Sequence, residues 1–383
     1  MKFFHLSDLH IGLKLMNRDL REDQEYIFDQ IAQLAAREQP DAIVVAGDLY
    51  DKAIPSAEAA EVFDRFVSRC AQAAPEAELM LISGNHDSAS RINVYRSILQ
   101  RQKIHVIGLP PQRPEESIEK VTLHDAYGPV SFYLLPFVKP SMVKAVVGTD
   151  ASGNNLSYDE TVHRLIGREE IDESRRNVLV SHQFYLPVGA DPAKVERMDS
   201  EIRTVGNIDE VRADILDRFD YAALGHIHKP MQVGSARYRY CGTPLACSVS
   251  EAGQQKGIIV VELGEKSDVR TRVLPLTPLR QVRVIRGTLE EVLAQACGDY
   301  VSIVLTDRVD LDVLDMQDRL RHAFPMLLEI RREAVCRADY ARAHTVDAAL
   351  DPFALCKAFL GDDVDAAAQD LLRDVINCAQ EVE

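Results

Sequence analysis

No stretch of the sequence approaches 18 consecutive apolar residues, so no segment is expected to cross a membrane as a helix. The first eight residues, Met1-Lys2-Phe3-Phe4-His5-Leu6-Ser7-Asp8, meet charge too early for the apolar core of a secretory leader. The seven cysteines (Cys70, Cys241, Cys247, Cys297, Cys336, Cys356, Cys378) are odd in number and contain no Cys-x-x-Cys pair. That excludes a disulfide framework and a thiolate zinc site, and points to a reducing, cytoplasmic compartment. Positive charge is short too: 44 Lys and Arg face 60 Asp and Glu, a formal charge of −16. Binding of nucleic acid by bulk electrostatics is therefore disfavoured, because phosphates need clustered cations. There is no internal repeat and no low-complexity tract. With 46% apolar residues in 383, disorder, collagen and a coiled-coil rod are excluded, and two or three domains are expected.

What is present begins as an alternation of strand-like and helix-like segments. Lys2–Leu6, Asp41–Ala46 and Leu79–Ile82 read as buried strands. Between them, Asp19–Glu38 and a segment capped by Ser56 carry apolar residues at helical spacing. Lys120–His124 and Val130–Leu135 read as a hairpin, and Ser157-x-x-Glu160 as a capping box opening a helix. Further strands are expected at Asn177–Val180, Tyr221–Leu224, Arg237–Cys241 and Gly257–Leu263. Pro275 and Pro278 interrupt the pattern. A β-α-β-α-β series then follows over 281–331, and a polar helical tail from about Thr345. The alternation implies an α/β (α+β) fold, with a sheet covered by helices and a small second domain. The expected division is 1–275, 280–343 and 345–383.

The chemistry lies where the strands end. Five times in the first 230 residues a buried strand runs into metal-binding residue types. These are Asp8-x-His10, Gly47-Asp48, Gly84-Asn85-His86-Asp87, His182 and Gly225-His226-x-His228. Ligand sites form where strands of a helix-covered sheet give way to loops, so five such ends on one rim converge. Residues i and i+2 of an extended chain share a face, so Asp8 can act with His10, and His226 with His228. Each fragment alone fits a turn, a cap or a structural histidine; the ordered set argues for metal. Mixed carboxylate, imidazole and amide donors suit Mn²⁺, Fe²⁺ or Zn²⁺. No Ser-His-Asp order and no partnered cysteine supports a covalent nucleophile.

That ordered set resembles the calcineurin-like, binuclear metallophosphoesterase superfamily. Within it, HLSDLHIG at 5–12, AGDLYD at 46–51, SGNHDS at 83–88, SHQF at 181–184 and FDYAALGHIHKP at 219–230 resemble the bacterial SbcD exonuclease subunits. YCGTPLACSVSE at 240–251 and KGIIVVEL at 256–263 extend the likeness. The resemblance implies a four-layer αββα sandwich with a small α+β cap and a helical tail, and two divalent ions, with Mn²⁺ the expected species. Asp8, His10, Asp48 and His228 would hold one; Asp48, Asn85, His182 and His226 the other, with Asp48 bridging. His86 would stand beside the metals, stabilising transition-state charge or protonating the leaving 3′ oxygen. Some relatives carry a histidine three residues after the bridging aspartate; here it is Asp51, which is left without a role.

The resemblance further implies a nuclease subunit acting in DNA repair and recombination: a 3′→5′ double-strand exonuclease and single-strand or hairpin endonuclease. It would be a homodimer within a heterotetramer with an SbcC-type ATPase, cytoplasmic and associated with the nucleoid. Two other readings stay open: a phosphodiesterase or phosphatase for another substrate, and a non-catalytic scaffold. Residues 345–383 hold two cations (Lys357, Arg373) against nine carboxylates, so this tail is expected to avoid phosphates. It would dock a protein partner or pack on its own domain. Arg91 and Arg96, and Arg321, His322, Arg331, Arg332, Arg337, Arg342 and His344, are candidate phosphate contacts or ordinary surface residues.

Overall fold

The computed structural model describes residues 1–94, 96–191, 195, 197–201, 209–307, 313–333, 368–369 and 371–372. The chain divides into two units, Met1–Glu333 and Ala334–Glu383. The tail read from the sequence, and Arg337, Arg342 and His344, lie outside the described residues apart from four isolated positions.

The first unit opens with β1 (Lys2–Leu6), α1 (Arg21–Glu38), β2 (Ala42–Ala46), α2 (Ala57–Ala73), β3 (Glu78–Ile82) and β4 (Ile104–Ile107). Next come the hairpin β5 (Glu119–Asp125) and β6 (Gly128–Leu135), then α3 (Tyr158–Gly167), β7 (Arg176–His182) and β8 (Tyr221–Gly225). β9 (Met231–Val233), β10 (Ser235–Tyr240), β11 (Gly257–Leu263) and β12 (Val269–Pro275) complete this part. Two six-stranded sheets result, in the orders β12-β11-β1-β2-β3-β4 and β9-β10-β8-β7-β6-β5. β1 to β4 pair in parallel, as do β6, β7, β8 and β10.

Alternation along each strand assigns the layers. Phe3, Val44, Ala46, Met80 and Ile82 of the first sheet meet Phe132, Val178, Val180 and Ala223 of the second in one core between the sheets. The alternate residues Phe4, Ile43, Val45, Leu79 and Leu81 face α1 and α2, against Ile27, Ile31 and Phe66. Leu179 and Leu224 face α3 through Val162, Leu165 and Ile166. Each such fully buried side chain stabilises by roughly 1.5–3 kcal/mol. The four-layer sandwich read from the sequence is therefore present. The inner strands of its two sheets are buried on both faces, which is why they read as continuous apolar runs, while β5, β10 and β12, at or next to the edges, alternate with exposed positions.

Local signals act as expected at α2, where Ser56 Oγ accepts from Ala59 N–H at 3.3 Å. At α3 only half of the capping box forms. Ser157 Oγ accepts from Glu160 N–H at 3.1 Å, but the Glu160 carboxylate turns to Arg164 at 2.5 Å. α1 starts at Arg21 rather than Asp19, because Asp19 belongs to a two-residue hairpin strand paired with Lys14.

Beyond β12 the cap follows the series read from the sequence: β13 (Val282–Gly287), α4 (Leu289–Leu293), β14 (Tyr300–Leu305), α5 (Val313–Ala323) and β15 (Leu327–Arg332). All three strands are parallel, in the order β13-β14-β15. Thr288 and Glu291 form the reciprocal capping box at α4, which the sequence reading passed over. The cap has its own core around Val292, Val301, Ile303, Leu320 and Phe324. It meets the sandwich through Val282 and Tyr300, and through Asp23, which accepts from Arg280 Nη1 at 2.7 Å and the Tyr300 hydroxyl at 2.8 Å.

Candidate metal centre

The loops following β1, β2, β3, β7 and β8 all open on one rim, and the five strand-end motifs meet there. Parallel pairing is the cause: adjacent parallel strands end on the same edge. Asp8, His10 and Asp48 have φ of 54°, 43° and 49°, and His226 has 102°. A left-handed backbone is costly for a side-chain-bearing residue and collects at functional sites. Here it is held by a ladder between loops, with Asp8 N–H donating to Gly47 O at 2.9 Å and His10 N–H to Asp48 O at 3.1 Å.

Asp8, His10, Asp48 and His228 bring one ligand atom each within 4.8 Å of one another. His10 Nε2 and His228 Nε2 lie 3.1 Å apart. On the other side, Asn85 Oδ1 stands 3.0 Å from both His182 Nε2 and His226 Nδ1. Asp48 lies between the two groups, its Oδ2 3.6 Å from His10 Nε2 and 3.4 Å from His182 Nε2. Apart from half-buried Asn85, these seven side chains are at most 5% exposed.

Three glycines make room for them. A Cβ at Gly47 would fall 2.2 Å from the His182 ring, one at Gly84 2.1 Å from Asp48 Oδ1, and one at Gly225 1.8 Å from Ala46 O. Their role is close packing against the ligand set.

The electrostatics fit a cation. Burial pushes Asp8 up to about 6. Burial opposes ionisation of Asp48 as well, but His182, His10 and His86 outweigh it and hold the carboxyl well below its usual range. His182 is raised to about 9, because Asp48 and Asp8 overcome burial. His10 and His226 are lowered by burial, which keeps their imidazoles neutral, the form that binds metal. His228 is raised as well, because Glu251, Asp8 and Glu201 outweigh burial, so the carboxylates of the cluster favour positive charge among them. Donor types, convergence and charge fit a divalent pair of the Mn²⁺, Fe²⁺ or Zn²⁺ kind.

His86 lies at the edge of this cluster. Its N–H donates to Asp48 Oδ1 at 2.9 Å, and its Nδ1–H donates to Asp51 O at 3.0 Å. Its Nε2 is 4.0 Å from Asp48 Oδ2, and the side chain is 15% exposed, more open than the six buried side chains of the cluster. Asp51 thus touches His86 through its carbonyl, while its carboxylate stands 3.9 Å from His10 Nδ1.

Sequence reasoning passed over several supporting residues. Asp87 accepts backbone N–H bonds from Leu49, Tyr50 and Gly84, each at 2.9 Å, and so ties the Asn85-His86 loop to the Asp48 loop. Gln24 holds His10 O at 2.7 Å. Arg197 lies 3.1 Å from His226 Nε2, with its guanidinium 4.6 Å over the Phe184 ring. Asp87 was legible as part of a motif; Gln24 and Arg197 carried no local signal. Two of the arginines read as phosphate contacts or ordinary surface residues form surface ion pairs, Arg96 with Glu119 at 2.6 Å and Arg331 with Glu329 at 2.7 Å.

Residues 1–230 match the family model for the calcineurin-like phosphoesterases. Residues 278–363 match a second model, described as the type 5 capsule protein repressor C-terminal domain. The chain belongs to the calcineurin-like phosphoesterase family, whose members hydrolyse phosphoester bonds. Within that family it is SbcD-like. It is 30% identical over 297 residues to the D subunit of the nuclease SbcCD from Staphylococcus saprophyticus, covering 77% of this chain and 74% of that protein. Among solved structures, a dimetal phosphatase from Danio rerio superposes with a TM-score of 0.41 at 13% identity, over 72% of this chain and 98% of that one. TT1561 of Thermus thermophilus gives 0.38 at 12%, over 71% and 98%.

Proposed function

We propose that this chain is the two-metal nuclease subunit of a DNA-processing complex. The convergence of Asp8, His10, Asp48, Asn85, His182, His226 and His228 around Asp48 carries the reading. Asp8, His10, Asp48 and His228 would hold one ion and Asp48, Asn85, His182 and His226 the other, with Mn²⁺ the proposed species. A divalent pair supplies Lewis acidity and an activated water for in-line attack on phosphorus. Asp48, ionised and shared, sets the spacing of the two sites. His86 presents its free Nε2 edge to the substrate, where it holds or gives a proton at the leaving 3′ oxygen.

Lys14, Arg21 and Lys52 line a cavity of about 770 Å³ that also touches Asp51. None of the three forms an ion pair among the described residues, and each can take a phosphate without breaking one. Asp19 and Glu58 share the wall, so the groove is mixed in charge and favours a few local contacts over bulk attraction. The activities proposed are 3′→5′ exonucleolysis of duplex ends and cleavage of hairpins and single strands, without sequence preference. The chain would act as a homodimer with an SbcC-type ATPase, in repair and recombination at the nucleoid. Its proposed parts are a nuclease domain over 1–275, a cap over 280–343 and an acidic docking tail over 345–383. The decisive assay follows a 3′-labelled duplex and a p-nitrophenyl phosphodiester in Mn²⁺, with and without the ATPase. Duplex cleavage supports the nuclease; ester hydrolysis with an intact duplex assigns a phosphodiesterase or phosphatase for another substrate.

A further inference from the structure

The segment YCGTPLACSVSE and the lysine that follows it are not used by the proposed chemistry, yet they surround one ligand. His228 turns Nε2 toward His10, so Nε2 is the metal-facing atom. Its Nδ1 lies 2.7 Å from Ser200 Oγ, and Ser200 Oγ lies 2.9 Å from Glu251 Oε1. Glu251 Oε1 is itself 3.5 Å from Nδ1. The other carboxylate oxygen accepts from Thr243 Oγ1 at 2.9 Å and from Lys256 Nζ at 2.6 Å. Glu251 is 1% exposed and Lys256 6%. Thr243 N–H and Lys256 Nζ also reach His228 O, at 3.2 and 3.5 Å, while His228 N–H donates to Glu201 at 3.0 Å.

The direction of this chain of bonds matters. To bind metal through Nε2, the neutral imidazole must carry its proton on Nδ1. Ser200 can accept that proton's hydrogen bond only if its own hydroxyl points elsewhere. A carboxylate accepts and never donates, so ionised Glu251 draws the Ser200 hydroxyl toward itself and leaves an oxygen lone pair facing Nδ1. Lys256 Nζ and Thr243 Oγ1 both donate to its other oxygen, which holds the Glu251 carboxylate in place as an acceptor. Reverse the serine, and it donates to Nδ1, which moves the proton to Nε2 and blocks the metal.

We propose that Glu251, acting through Ser200 and anchored by Lys256, is a positioning residue that fixes the Nδ1–H tautomer of His228 and so sets the affinity of one of the two metal positions. The proposal rests on the metal assignment above but not on the identity of the substrate. His182 needs no such device, because its Nδ1–H donates directly to Ala46 O at 2.8 Å. The effect should therefore be confined to the His228 position.

The test is equilibrium Mn²⁺ binding, by titration calorimetry and metal content after dialysis, on the metal-free full chain and its variants. In Ser200→Ala and Glu251→Gln, one of the two sites should weaken by about 10–100-fold, the usual effect of losing such a partner, while the other is unchanged. Ser200→Thr keeps the hydroxyl and should restore wild-type binding. The melting temperature of metal-free Ser200→Ala should stay near that of the wild type, which separates positioning from folding. Should Glu251→Gln fail to fold because Lys256 loses its counter-charge, Glu251→Gln combined with Lys256→Met repeats the measurement. Wild-type affinity at both sites in Ser200→Ala overturns the proposal, as does equal weakening of both sites. A wild-type chain that binds no Mn²⁺ overturns the metal centre itself.

Discussion

Gly225→Ala and Gly167→Ala make the same chemical change in opposite surroundings. At Gly225 an added Cβ would lie 1.8 Å from Ala46 O, 2.8 Å from His182 Nδ1 and 2.9 Å from Ser7 Cβ. The closest of these is backbone of β2, which has no flexible end to swing aside, and both faces of that strand are packed. Overpacking of this kind costs about 1–3 kcal/mol or more. The same oxygen is the acceptor for His182 Nδ1–H, so displacing it forfeits a buried bond worth about 1 kcal/mol. A total near 3 kcal/mol corresponds to roughly 6–12 °C in melting temperature, toward the lower figure for a unit this long. At Gly167, the last residue of α3, nothing lies within 4 Å. There alanine lowers unfolded-chain entropy and improves helix propensity by up to about 1 kcal/mol, so the melting temperature should hold or rise. Thermal unfolding of both variants in metal-free buffer, with Mn²⁺ stoichiometry alongside, is the assay. Gly225→Ala should also weaken metal binding, because His182 loses its anchor. A Gly225→Ala protein that melts within about 2 °C of the wild type and binds two ions normally would refute the reasoning.

Other outcomes follow from the same geometry. His86→Ala should lower turnover by roughly 10²–10⁴-fold with both metals still bound; loss of metal would place His86 among the ligands. Asp48→Ala should disturb both metal positions, and two ordered ions in that variant contradict its bridging role. Charge reversal at Lys14 and Lys52 should weaken duplex binding and flatten its salt dependence, leaving p-nitrophenyl phosphodiester hydrolysis unchanged; equal loss on both substrates would assign these lysines to folding. Asp125 is held well below the usual carboxylate range by its hydrogen bonds to Arg176, against a desolvation cost, with the N-terminal ammonium adding to the effect. A depressed carboxyl contributes stability above its unfolded value, about 3.9, and loses it as pH falls. Asp125→Asn should therefore be less stable than the wild type at about pH 6 in denaturant unfolding, by a gap that narrows below about pH 4. A gap that stays constant as the pH drops would argue against the pairing.

The legible part of the site was local in the chain. Asp8-x-His10, Gly84-Asn85-His86-Asp87 and Gly225-His226-x-His228 each put several relevant groups within four residues, beside a buried strand that announces itself by composition. The cap was equally readable, because its periodicity changes between two and 3.6 residues without interruption. Gln24, Ser200 and Glu251 were not legible as site residues. Gln24 sits on an amphipathic helix 14 positions from the carbonyl it holds, and Ser200 is 28 positions from His228. Nothing in the neighbourhoods of Gln24 and Ser200 distinguishes them from surface polar residues, and Glu251 closes the motif YCGTPLACSVSE, whose residue types show no link to His228. The pairing of Arg96 with Glu119 was equally out of reach, because the two lie far apart in the chain, whereas Arg331 pairs with Glu329 only two residues away.

By itself, the sequence determined the order of strands and helices, the residue types at the strand ends and the shortage of cations. Side-chain periodicity and donor chemistry are properties of short segments, so these needed no third dimension. Only the tertiary structure decided which groups face one another. Parallel pairing brought five strand ends to one rim, sheet-on-sheet contact set the glycine spaces behind His182 and Asp48, and a buried carboxylate settled which nitrogen of His228 is free. Those are distances between residues far apart in the chain, and a distance of that kind exists only after the layers have packed.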